Sequence, residues 1–197
     1  MKLSVFTPTH NPVRLVDAYE SFKDSLAWDE WVIAPNGNCR EGDIPEVIRK
    51  DPRVVLHQAP DDCGSRIGAL KGFACDRCTG DILVELDHDD MLVSPVLEAI
   101  KQAFLDDPAV VLVYSNFANI NEDWSCRHYN PFYGWVTRPW AYNGRALEET
   151  LAPPPTAHTA SSMWWGPNHV RAYRRTAYDA VGGYNTAMAV GDDQELC

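Results

Sequence analysis

Short apolar runs alternating with helical patterns constrain this chain more than any other feature. Residues 3–7, 30–34, 54–56 and 82–86 each read as a strand buried on both faces. Between them lie helical patterns. Residues 13–26 carry Val13, Val16, Tyr19, Phe22 and Leu26 at helical spacing. A short helix is expected at 45–50, and residues 65–78 place Ile67, Leu70 and Ala74 on one face. Breakers punctuate the joins: Pro8-Thr9-His10-Asn11-Pro12 after the first strand, Pro35-Asn36-Gly37-Asn38 after the second, and Gly80 before the fourth. Strand and helix in alternation predict a parallel, doubly wound α/β sheet with helices on both faces.

The fourth strand runs directly into Asp87-His88-Asp89-Asp90. Open α/β sheets bind ligands outside the carboxyl ends of their strands. Three carboxylates crowded at such an end repel one another unless a cation holds them. A hard divalent ion, Mn²⁺ or Mg²⁺, prefers oxygen ligands and often bridges to phosphates. The bland alternative is a solvated acidic turn that caps the next helix. Alternation along the chain turns His88 away from its acidic neighbours, which makes it structural.

With 197 residues, 45% of them hydrophobic and 23% charged, the chain can bury a full core. A net charge of −11 argues against a protein that coats nucleic acid, though not against one that binds a single nucleotide. No stretch approaches the length of a membrane span, and the first residues enter a strand without a signal-peptide pattern, so a cytoplasmic protein is expected. The six cysteines then read as thiols. Cys75-Asp76-Arg77-Cys78 has a zinc-like spacing, but Cys39 and Cys63 supply no second close pair.

The second half reads differently. A helix is expected at 96–105, a strand at 110–116 and a hairpin over 117–129 turning at Asn121-Glu122-Asp123. An aromatic, loop-rich region runs through Tyr133, Trp135, Trp140 and Tyr142, and Pro153-Pro154-Pro155 marks a stiff extended segment. A strand at 170–174 and a helix at 175–181 precede the turn Gly182-Gly183-Tyr184. Gly191-Asp192-Asp193 opens a last helix that the chain cuts short at Cys197, so the sequence reads as a fragment of a longer protein.

Taken in order, these pieces resemble glycosyltransferase family 2, whose fold is the Rossmann-like GT-A type. Val5-Phe6-Thr7-Pro8-Thr9-His10-Asn11 resembles the family's opening strand and Pro-Thr-Tyr-Asn loop. Asn36 stands where the family has an aspartate that contacts the nucleobase, and Arg66 matches its donor-binding arginine. Asp87-His88-Asp89-Asp90 matches the Asp-x-Asp-Asp metal motif. Val113-Tyr114-Ser115 through Asn121-Glu122-Asp123 resembles its middle strand and hairpin. Gly182-Gly183-Tyr184 resembles the Gly-Gly-Phe turn, and Gly191-Asp192-Asp193 the Gly-Glu-Asp motif.

The resemblance implies a mostly parallel central sheet flanked by helices, with a smaller acceptor-side lobe. It implies one domain over 1–197, with a nucleotide-sugar-binding half at 1–90 and an acceptor-binding half at 91–197 that is incomplete at its C-terminus. The implied activity is metal-dependent, inverting transfer of a sugar from a nucleoside-diphosphate sugar to a carbohydrate or other hydroxyl. Pro8, Thr9, His10, Asn36, Arg66, Asp87 and Asp89 would meet the donor. Asp89 and Asp90 would hold Mn²⁺ or Mg²⁺, and Asp193, with Asp192, would serve as the base. Asparagine at 36 adds a donor to the acceptor an aspartate offers, which predicts weaker discrimination among bases. Trp164 and Trp165 suit stacking on an acceptor sugar, or equally the core.

Three alternatives stay open. Asp192-Asp193 has the sequence of a helix cap, and the whole chain could be a nucleotide-sugar-binding relative without catalysis. A nucleotidyltransferase on a similar sheet is disfavoured because residues 7–14 lack the glycine and lysine of a phosphate loop. A zinc-bound interaction module is the third.

Overall fold

A computed structural model describes residues 1–163 and 167–197, with the side chains of Ala160, Asp193 and Gln194 outside the description. In chain order the elements are β1 (Leu3–Thr9), α1 (Leu15–Phe22), β2 (Glu30–Pro35), α2 (Glu46–Arg49), β3 (Val54–Leu56), α3 (Ile67–Cys75) and β4 (Ile82–Glu85). Then follow α4 (Val96–Asp106), β5 (Leu112–Tyr114), β6 (Thr137–Tyr142), β7 (Arg145–Thr150), α5 (Ala157–Ser162), β8 (Arg171–Arg174), α6 (Arg175–Ala180) and α7 (Asp192–Leu196). The chain divides into two compact units, residues 1–113 with 172–197, and residues 114–171.

The first unit is built on a sheet of order β3-β2-β1-β4-β8-β5. β1 pairs in parallel with β2 (Thr9 opposite Pro35) and with β4 (Phe6 opposite Glu85), and β2 pairs in parallel with β3. The expected doubly wound α/β sheet is therefore present. Both faces are covered, which is why these strands read as continuous apolar runs. On one face the α1 side chains Tyr19 and Phe22 pack on Trp31, whose indole N–H donates to Thr7 Oγ1 at 2.9 Å. On the other, Phe6, Val32, Ala34 and Leu83 cluster with Ala74, Cys75 and Cys78 at the end of α3 and with Tyr173, Tyr178 and Tyr184.

The amino ends of β1 and β2 are fastened by one carboxylate. Glu30 pairs with Lys2 at 3.2 Å and accepts from Ser4 Oγ (2.5 Å), Thr79 Oγ1 (2.9 Å) and the Thr79 N–H. Desolvation works against its charge, but these donors prevail and hold the carboxyl below its ordinary range. That end of the sheet is saturated, which leaves the opposite end for ligands.

Cys39, Cys63, Cys75 and Cys78 are buried free thiols, Cys75 and Cys78 within one core cluster and Cys63 in another. Burial pushes the Cys75 thiol up to about 12 and that of Cys78 up as well.

The second unit departs from expectation. The strand expected at 110–116 is only Leu112–Tyr114, and the 117–129 hairpin is reduced to one bridge, Ile120 with Cys126. The region read as aromatic loop instead forms the antiparallel pair β6–β7, with Thr137 opposite Thr150 and Tyr142 opposite Arg145. Its two-residue turn is Asn143-Gly144, with φ of 48° and 76°, the backbone of a type I′ hairpin turn. Phe117, Tyr129 and Trp135 pack as a ring cluster, and Trp124, Tyr142 and Trp140 stack in a row with the Arg145 guanidinium over Trp124.

Among the described residues no helix is long and apolar enough to cross a membrane.

Candidate active site

Strand order sets the location. From β1 the chain moves outward through β2 and β3, then returns to place β4 on the other side of β1. The sheet therefore reverses direction between β1 and β4, and the carboxyl ends of those strands flank a topological switch point. Pro8 and Thr9, expected in a loop, are instead the last two residues of β1, with His10 directly after them; the loop after β2 carries Asn36, and the chain leaving β4 carries Asp87-His88-Asp89-Asp90. These expected site residues are widely spaced in sequence and share one edge of the sheet.

The ends of β1 and β2 are rigidly made. Thr9 is buried, and its carbonyl accepts from the Asn36 N–H at 2.8 Å. Asn36 is itself buried, and its Nδ2 donates to the Ala34 carbonyl at 3.3 Å. Its carbonyl accepts from the Cys39 N–H (3.0 Å), closing a turn that Gly37 permits with φ of 60°. Gln58, at the end of β3, braces this turn by donating Nε2 to the carbonyls of Pro35 (2.9 Å) and Cys39 (3.3 Å). The sequence holds no signal for Gln58, because its role depends on β3 lying beside β2.

The acidic loop turns tightly, with the Asp90 N–H on the Asp87 carbonyl at 3.2 Å. Asp89 is exposed, and Asp87 and Asp90 are half-buried. Carboxylate oxygens are what a hard divalent cation prefers, but among the described residues no group of three metal-ligating side chains lying within 4.8 Å of one another includes Asp89 or Asp90. His88 meets His10 edge to face, with ring centroids 4.9 Å apart. The two histidines join the segments that follow β1 and β4 across the switch point.

Arg66 stands at the N-cap of α3, exposed. Its guanidinium donates to the carbonyls of Asp62 (2.5 Å) and Cys63 (3.3 Å). The arginine closes the turn before its own helix, which offsets a cation's poor placement at a helix start.

Asp192 begins α7 and is buried, its carboxylate 3.6 Å from Lys71 Nζ. Lys71 lies on α3, also buried, and its ammonium is 2.5 Å from Glu85, the last residue of β4. Glu85 accepts from the phenols of Tyr184 (2.8 Å) and Tyr173 (3.3 Å). Sequence reasoning missed Lys71 and Glu85. A lysine within a helix and a glutamate within an apolar run look solvated until the fold buries both. The side chain of Asp193, and Trp164 and Trp165 entirely, lie outside the described residues.

No family model matches the chain, and no curated protein matches it by sequence. Solved structures do match. S. aureus TarS 1-349 in complex with UDP-GlcNAc is similar over 100% of this chain and 52% of its own, with a TM-score of 0.70 at 15% identity. The mannosyltransferase PcManGT from Pyrobaculum calidifontis, in complex with GDP-Man and Mn²⁺, gives 0.57 at 19% identity, covering 99% of this chain and 50% of its own. CMP:2-keto-3-deoxy-manno-octonic acid synthetase complexed with CTP gives 0.51 at 13% identity, covering 100% and 83%. The chain thus has a GT-A-type α/β fold, and it spans about half the length of the glycosyltransferases it matches.

Proposed function

We propose that this chain is the donor-binding part of a metal-dependent, inverting glycosyltransferase. The observation that carries the reading is convergence at the β1/β4 switch point. An oxygen-rich acidic loop, a buried amide and the Thr9-His10 segment meet where such a sheet binds ligands. Two structural neighbours with this fold are in complex with UDP-GlcNAc and with GDP-Man and Mn²⁺ respectively.

In this reading Asp89 and Asp90 hold Mn²⁺ or Mg²⁺, with Asp87 in support. A bound divalent ion supplies positive charge to the departing diphosphate. Pro8, Thr9, His10 and Arg66 border the nucleotide, and Trp164 and Trp165 serve the acceptor. Asp193 takes the proton of the attacking acceptor hydroxyl. A single base facing the anomeric carbon gives in-line displacement and inversion.

Asn36 narrows the choice of base. One of its two Nδ2 hydrogens is engaged by the Ala34 carbonyl, which turns Oδ1 away from that carbonyl as the acceptor to offer. An acceptor there favours bases that present a ring N–H, uracil and guanine, over cytosine. That sharpens the weak discrimination expected from the amide's two-sided chemistry.

The test is a thermal-shift panel of uridine, guanosine and cytidine diphosphates, with and without Mn²⁺. A ligand at a hundred times its dissociation constant stabilises by about 2.7 kcal/mol. The shift should need metal, favour uridine and guanosine, and largely vanish in Asp90→Ala. Equal shifts with Mn²⁺ and with chelator would refute the metal-linked reading.

The synthetase neighbour, complexed with CTP, favours a nucleotidyltransferase as the second reading. It requires a triphosphate as substrate and a preference for it over sugar diphosphates. The absence of glycine and lysine from residues 7–14 counts against it.

A further inference from the structure

We propose that the buried Lys71–Glu85–Asp192 network is a positioning device that sets α7, and with it Asp193, against the acidic loop after β4. The inference rests on the function proposed above. It adds a residue, Lys71, that no motif in the sequence marks.

The network links the two halves of the proposed chemistry. Glu85 ends β4 two residues before Asp87, and Asp192 is the first residue of α7, directly before Asp193. One ammonium, from α3, lies between them, 2.5 Å from Glu85 and 3.6 Å from Asp192. All three residues are almost fully buried, at 4%, 0% and 2% exposure. Two carboxylates on one ammonium in a dry setting are expensive, and a well-packed apolar substitute is often as stable or more so. Stability alone therefore does not explain the arrangement, whereas orientation does.

The surrounding packing fixes the same segment. A Cβ on Gly68, one turn before Lys71 on α3, would stand 2.3 Å from the Asn185 carbonyl oxygen and 3.3 Å from Asp192 Cβ. The Gly68 N–H donates to the Met188 carbonyl at 3.4 Å, and Gly72 faces the Tyr184 side chain. Tyr184 in turn donates to Glu85, and Asn185 Nδ2 donates to Glu195 on α7 at 3.1 Å. α3 thus offers two glycines as a seat for residues 184–192 and one lysine as the charge that locks it.

A positioning residue changes turnover more than donor affinity. Misplacing a reacting group by about 1 Å costs roughly a hundredfold in rate. The experiment uses the full-length protein that contains this chain. UDP-N-acetylglucosamine and GDP-mannose are supplied with Mn²⁺, and water serves as acceptor. Water attacks the anomeric carbon, its proton passes to Asp193, the bond to the β-phosphate oxygen breaks, and the nucleoside diphosphate leaves. Release of that diphosphate gives the turnover, and titration with the same diphosphate gives donor affinity and the fraction of competent sites.

Lys71→Met and Asp192→Asn should each lower turnover per competent site by roughly a hundredfold, with affinity within about twofold of wild type. The double variant should be no worse than the single ones, because both remove one coupled unit. Asp192→Asn keeps the side chain's shape, so it carries the test if Lys71→Met does not fold. Unchanged turnover per competent site in Asp192→Asn would overturn the inference while leaving the proposed function intact. A parallel fall in donor affinity would overturn it too, showing that Lys71 serves the donor directly. A wild type that binds no diphosphate and releases none would overturn both.

Discussion

Replacing Asn36 with aspartate tests both the local geometry and the base-reading role. The residue is only 7% exposed, and its Nδ2 donates to the Ala34 carbonyl at 3.3 Å. Aspartate removes that donor and puts a charged oxygen against a carbonyl oxygen at the same separation. The lost hydrogen bond is long, so it counts for about 0.5–1 kcal/mol. Burying a carboxylate oxygen against another acceptor adds about 1–3 kcal/mol. A destabilisation of about 1.5–4 kcal/mol follows, and for a chain of this size each kcal/mol lowers the melting temperature by roughly 2–4 °C. Asn36→Asp should therefore melt about 3–16 °C below wild type at neutral pH. The deficit should shrink as pH falls through the carboxylate range, because a protonated acid can donate to Ala34 again. Calorimetric melts of both proteins, side by side at neutral and mildly acidic pH, measure this. A neutral-pH melting temperature within about 1 °C of wild type would refute the reasoning, since the Asn36 amide would then not be anchored on Ala34. Nucleotide titration of the same pair asks the functional question. If Oδ1 is the atom presented, both side chains offer an acceptor, and the preference for uridine over cytidine should survive the change.

Three further expectations follow from the same structure. Asp193→Asn should leave donor affinity near wild type and reduce transfer in the full-length protein by roughly 10²–10⁴; undiminished transfer would make Asp193 a capping acid only. Asp51 accepts from Arg53 and Tyr19, and the Arg53 guanidinium holds its carboxyl down at about 2. The folded value lies below the unfolded one, so about 2 kcal/mol of stability is present above pH 4 and is lost as pH falls towards 2. Asp51→Asn should lose that increment at neutral pH and flatten the acid limb of a denaturation curve; an unchanged limb would remove Asp51 from the account. Gly68→Ala would set its Cβ 2.3 Å from the Asn185 carbonyl oxygen, and overpacking of this kind costs about 1–3 kcal/mol. Its melting temperature should fall by several degrees, and an alanine variant as stable as wild type would show that residues 184–192 do not seat on α3.

What the sequence determined by itself is the parallel half of the sheet and the addresses of its loops. β1, β2 and β4 are legible because a strand buried on both faces must be largely apolar, β3 because its short run is apolar although Val55 is exposed, and Asn36-Gly37 and Gly80 mark where the backbone turns. The acidic cluster after β4 is legible for the same local reason. The pair β6–β7 was not recognised, although Asn143-Gly144 is a strong hairpin signal. β6 is largely exposed and contains Pro139, so the alternation that marks a half-buried strand is faint. The tertiary structure alone decided what the site residues do to one another. Gln58 braces the Asn36 turn only because β3 lies beside β2. Arg66 folds back onto the carbonyls of its own preceding turn. Lys71, which in a linear reading is one more solvated helix lysine, lies between Glu85 and Asp192 because α3 packs on the sheet and its glycines let residues 184–192 close against it. Periodicity and turn chemistry are written in neighbouring residues. The partner of a buried charge is chosen by segments more than a hundred residues apart, and it exists only once the chain has closed.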